Sequence, residues 1–153
     1  MRRLPTVLIV LIVLLLPLSL AGAQSGALMD HILQEPHLSV AEAAYLVGLA
    51  SGKLSETGDT QGTILLQTLG WRESSNDPTR AVTAAQYAWL LAQSFPLPRG
   101  LWAWMFPGPR YSYRDLVFRG FFPRQGDPDA LLTGGEAIQI LTKVLESLPG
   151  GRT

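Results

Sequence analysis

Apolar residues are distributed along this chain in two distinct patterns. From Val7 to Leu16 they run almost without interruption, whereas beyond residue 28 they recur three and four positions apart, as on one face of a helix. That period predicts helices over Val40–Ala50, from Ala84 to about Gln93 and from Gly134 to about Leu148, with shorter apolar helical segments at Thr63–Leu69 and Ser112–Arg119. Leu28, Met29, Ile32 and Leu33, followed by Pro36, read as a further, shortened helix and its loop. No stretch alternates apolar and polar residues as a half-buried strand does, so the expected fold class is all-α.

Sliding the sequence by 50 positions lays Thr63–Phe95 over Tyr113–Leu145 without a gap. Leu66 then falls on Leu116, Gly70 on Gly120, Asp77 on Asp127, Pro78 on Pro128, Thr83 on Thr133 and Leu91 on Leu141. About two identities would be expected from composition alone. Each copy has the same physical grammar. The first helix ends at Gly70 or Gly120, a residue able to take the left-handed conformation common at helix C-termini, and Trp71 or Phe121 follows at once. A loop containing Asp-Pro leads to Thr83 or Thr133, with Gln86 or Glu136 three residues later, the capping-box spacing. Ser39 and Glu42 repeat that spacing ahead of Val40–Ala50. The chain therefore reads as about three helix-loop-helix units, at 28–50, 63–95 and 113–148, packed as one small bundle-like domain. The first unit is abbreviated, and the Pro-rich and aromatic segment 96–112 is expected to be an ordered connection.

The N-terminal pattern has a different meaning. Arg2 and Arg3, the apolar run and the small residues Ala21, Gly22 and Ala23 follow the order of a secretory signal peptide, with cleavage expected after residue 23. The other reading is an uncleaved anchor, but a span needs about 20 apolar residues and Pro17 interrupts the run. The expected location is the periplasm or the cell surface. Removal of 1–23 takes two of the 12 basic residues and leaves 10 against 12 acidic ones. That balance argues against nucleic acid as a partner. The chain has no cysteine, so neither disulfides nor thiolate chemistry enters, and packing alone must hold the fold.

The Leu69-Gly70-Trp71 and Arg119-Gly120-Phe121 turns, with Val82-Thr83-Ala84-Ala85-Gln86-Tyr87 and Leu132-Thr133-Gly134-Gly135-Glu136-Ala137, resemble the S-layer homology module of bacterial envelope proteins. The resemblance spans about Leu28 to Leu148. It implies three repeats forming one pseudo-threefold unit that binds cell-wall polysaccharide without covalent attachment. Those modules carry a Thr-Arg-Ala-Glu sequence at the second helix, and here Val40, Ala84 and Gly134 stand where the arginine would be. Arg80, in Thr79-Arg80-Ala81, falls out of register with the cap and does not inherit the arginine's role.

No catalytic signature is present, and no cofactor or metal site is expected. His31 and His37 are six apart across Pro36, a spacing that does not put them on one helical face. Between Arg99 and Arg124, in contrast, five arginines face one acid, Asp115, amid eight aromatic residues. Aromatic rings pack on apolar sugar faces and guanidinium forks pair with carboxylate or phosphate. The candidate binding residues are Trp71, Trp102, Trp104, Arg110, Tyr111, Tyr113, Arg114, Phe121 and Arg124. The expected function is that of a non-catalytic exported protein binding cell-wall polymer or another envelope component. A periplasmic assembly factor gripping a protein is the alternative, and a small glycan hydrolase ranks last. Membrane contact is expected only through the signal segment, where that segment stays uncleaved.

Overall fold

The computed structural model describes residues 29–54, 66, 77–98 and 100–149, without the side chains of residues 102 and 103. The expected signal peptide, Gly70 and Trp71 lie outside the described residues. Those described form a small helical domain with no strand among them. After a helical segment at 29–34 come α1 (Val40–Ala50), α2 (Ala84–Ser94), α3 (Leu101–Met105), α4 (Pro109–Phe118) and α5 (Gly134–Ser147). α2 lies at the centre. Its Tyr87, Leu90 and Leu91 are fully buried, and it packs against both α4 and α1.

The three long helices start in the same way. Ser39, Thr83 and Thr133 each have an extended backbone and a hydroxyl that accepts the N3 amide, while Glu42, Gln86 and Glu136 reach back to the cap amide. The residue before each cap is buried: Leu38, Val82 and Leu132. These three join in a closed ring of backbone hydrogen bonds. Leu38 N–H donates to the Leu132 carbonyl (2.8 Å), Leu132 N–H to that of Val82 (3.2 Å), and Val82 N–H to that of Leu38 (2.8 Å).

The ring completes an account that every helix start must satisfy, since its first amides have no partner within the helix. The first amide of α1 donates to the Arg80 carbonyl and that of α2 to the Ala130 carbonyl, both at 2.9 Å. The second amides, of Ala41 and Ala85, donate to the carbonyls of Pro78 and Pro128. The third go to the cap hydroxyls. The Asp-Pro turns thus serve a neighbouring helix. Asp77 and Asp127 shape them by accepting the amides of Thr79 and Asp129, each at 2.9 Å. Thr79 also donates its hydroxyl to Asp77, and these two bonds hold that carboxyl below its usual range. Replacing Ser39, Thr83 or Thr133 by alanine should cost about 1 kcal/mol each, read as a shift in the urea midpoint.

Gly120, after α4, has φ +84°, the left-handed C-terminal conformation read from the sequence. Leu66 is buried, as is Leu116 fifty residues on. The segment 96–112 differs from its expected form. Rather than a connection, it contains α3 and the first turn of α4, which begins at Pro109 and not at Ser112. A proline in the first turn lacks only an amide that would have no helical partner, and its fixed φ suits the helix.

Candidate functional site

α4 divides its residues between core and solvent. Ser112, Tyr113 and Leu116 face inward against α2, whereas Arg110, Arg114 and Phe118, four residues apart, stand exposed along one outer stripe. Tyr113 is therefore not a surface binding residue as expected. Its ring packs edge-on against Phe122 at 5.1 Å within the core, and only its hydroxyl end reaches a groove, where an added side chain at Gly126 would collide with it. Burial, with the Asp127 carboxylate nearby, raises the Tyr113 pKa. Phe121 is likewise half-buried on the core rather than displayed.

Between the α4 stripe and the 124–128 turn lies an open groove of roughly 870 Å³, lined by Arg110, Arg114, Phe118, Arg124, Gly126 and Pro128, among others. That volume is in the range of small-molecule sites. Three of the sequence-predicted arginines thus converge on one concavity, beside a phenylalanine that is 90% exposed. They are not equivalent. Arg110 pairs with Asp129 at 3.1 Å, while Arg114 and Arg124 have no carboxylate within ion-pair distance among the described residues. Arg119 is drawn back to Asp115 at 3.2 Å.

The other predicted residues lie on a neighbouring part of the surface. Trp104, on α3, is 71% exposed. Tyr111 stacks on Phe106 with ring centroids 5.4 Å apart, and both rings border a second groove with Arg80, Met105 and Arg110. Trp102 and Trp71 carry no described side chain. Phe118, which lines the groove with three arginines, and Arg80, which lines the second groove, were not among the predicted binding residues. The spacing Arg110, Arg114, Phe118 would have revealed the ring once the helix was started at Pro109.

The residue that follows each of the three caps is small or apolar. Val40, Ala84 and Gly134 are all buried, and at Gly134 even a Cβ would run into the backbone carbonyl of Ile32. His31 faces two carboxylates, Glu35 at 3.3 Å and Glu42 at 3.7 Å, and His37 is exposed apart from them. Among the described residues no three His, Asp or Glu side chains are grouped as a metal would require. No helix of the described residues is long and apolar enough to cross a membrane. Comparison with protein-family models, with curated protein sequences and with solved structures finds no match for this chain.

Proposed function

We propose that this chain is a non-catalytic, exported envelope protein that binds an anionic cell-wall polymer in the groove beside α4. The observation that carries the reading is that Arg114 and Arg124, neither engaged by a carboxylate among the described residues, line one groove with the exposed ring of Phe118. Two guanidinium groups suit a carboxylate or phosphate on the polymer, and the ring suits the apolar face of a sugar. The resemblance to S-layer homology modules points the same way. It is supported by the closed ring at Leu38, Val82 and Leu132, an arrangement suited to three related units around one axis. Matching bonds fifty residues apart add to that support: the Thr79 and Asp129 amides donate to Asp77 and Asp127, and the Gln86 and Glu136 amides to Thr83 and Thr133. The ligand contact differs from the family pattern, because the cap-helix arginine is missing and its place would be taken by arginines of α4 and the following turn.

Co-sedimentation with purified sacculi tests the proposal. The protein should pellet with sacculi before and after protein extraction, and less so as salt rises, since exposed charges are screened beyond about 8 Å at physiological ionic strength. Arg114→Glu with Arg124→Glu should reduce retention at least about tenfold, equivalent to about 1.4 kcal/mol, with the helical circular dichroism unchanged. Retention of the double variant at the wild-type level would overturn the polymer reading. Binding only to unextracted sacculi would replace it with a protein partner. N-terminal sequencing of the exported protein should give a start near Gln24.

A further inference from the structure

The surface around α3 displays more apolar area than the polymer groove uses. Leu101 and Trp104 are 66% and 71% exposed, and Met105, Phe106 and Phe118 are exposed as well. Most of these side chains border two adjoining depressions that share Tyr111. Leu101, Tyr111 and Phe118 border a depression beside Arg114 and Arg119, and Met105, Phe106 and Tyr111 border the next, beside Arg80 and Arg110. α3 packs chiefly against α4, and its sequence, LWAWM, contains no charge.

Charge is divided in the same sense. These two depressions are lined by four arginines (80, 110, 114 and 119) against two aspartates (115 and 129), an excess of two positive charges. The remaining described residues carry seven carboxylates, two lysines and Arg124. Cationic and apolar side chains therefore share one surface of the described residues. Such a distribution orients a protein on an anionic surface before any close contact forms.

The two properties together select the occupant. A bilayer with acidic lipids offers anionic headgroups to the arginines and the acyl boundary to the apolar side chains, and indole rings and guanidinium-tipped chains are at home in that layer. We propose that α3 docks on the surface of an anionic lipid bilayer. Leu101, Trp104, Met105 and Phe106 enter the headgroup layer, and Arg110 and Arg114 meet lipid phosphates. Docking in this way is peripheral, distinct from a membrane-spanning segment. It shares Arg114 and Phe118 with the polymer groove, whereas Leu101 borders only the depression beside α3 and Arg124, Gly126 and Pro128 only the groove.

Because the chain has no cysteine, a single environment-sensitive fluorophore can be placed at will. The full chain is labelled at Met105→Cys or, as a control on an exposed position of α5, at Glu146→Cys, and mixed with vesicles of phosphatidylglycerol and phosphatidylcholine in equal parts. The label at 105 should shift to the blue and brighten, and the label at 146 should not. Phosphatidylcholine alone should give a much weaker response. Leu101→Asp, at an exposed site outside the core, should weaken the partition of the 105-labelled chain at least about tenfold. A label at 105 that keeps its aqueous emission at all lipid concentrations would overturn the proposal, as would an undiminished response from the Leu101→Asp chain. An equal response to neutral vesicles would do the same. A blue shift that grows with protein concentration in the absence of lipid would assign the face to a second copy of the chain instead.

Discussion

Replacing Tyr87 by alanine is expected to cost about 3–5 kcal/mol, the range for deleting a buried aromatic side chain. Tyr87 is fully enclosed at the end of the first turn of α2, and its hydroxyl donates to the Ala137 carbonyl of α5 at 2.9 Å. One side chain thus fills the centre and ties two helices together. Tyr87→Phe keeps the ring and loses the hydrogen bond, so its cost should be near 1 kcal/mol. The difference between the two variants in urea unfolding separates packing from the polar tie. Equal costs would mean that the ring contributes little. Burial also raises the Tyr87 pKa above the ordinary tyrosine value of 10.0. A group whose pKa is raised in the folded state stabilises the fold fully below its unfolded pKa and progressively less above it. The wild type should therefore lose stability as pH rises past about 10, and Tyr87→Phe should lose less over the same interval.

Gly134→Ala is the second large effect expected, and its sign is opposite to what helix propensity alone predicts. Alanine normally favours a helix over glycine by about 1 kcal/mol. At Gly134, however, the added carbon meets the carbonyl carbon and oxygen of Ile32, where the 29–34 helical segment closes on the start of α5. Backbone cannot turn aside as a side chain does, so the cost should approach about 3 kcal/mol, the upper part of the overpacking range. Gly135 is the internal control, because nothing lies within 4 Å of a carbon added there. Gly135→Ala should be neutral or stabilise by up to about 1 kcal/mol. If both variants unfold at the same urea concentration, the close approach at Ile32 is not what fixes glycine at 134.

What the sequence revealed and what it concealed follow from the range of the interactions involved. The caps were legible because Ser39 with Glu42, Thr83 with Gln86 and Thr133 with Glu136 bond within three residues. They fixed the starts of α1, α2 and α5, and Gly120 likewise announced its own conformation. α3 was not legible, since five apolar residues without a cap or a paired charge contain no local instruction. The Pro107-Gly108-Pro109 string reads as a loop, and only the structure shows Pro109 acting as a helix starter. Arg110, Arg114 and Arg124 were identified from charge, a property they carry anywhere. Tyr113 was misjudged because its burial depends on which face of α4 meets α2, a long-range fact. Phe118 is the converse, an apolar residue left outside by the same rotation.

The ring at Leu38, Val82 and Leu132 bears on how the chain acquires its order. Each bond joins positions at least 44 residues apart, so closing it requires large loops to be ordered together, with the entropy loss that entails. No two of the three segments complete the arrangement, and the last arrives only with Leu132, late in the sequence. A chain that lacks Leu132 can still pair Val82 with Leu38, but the Leu38 amide and the Val82 carbonyl are then left without their ring partner. The seam between the α1 and α2 starts is thus closed off from water by a third stretch of backbone that is distant in sequence, and truncation before Leu132 would expose two buried polar groups at the centre of the fold.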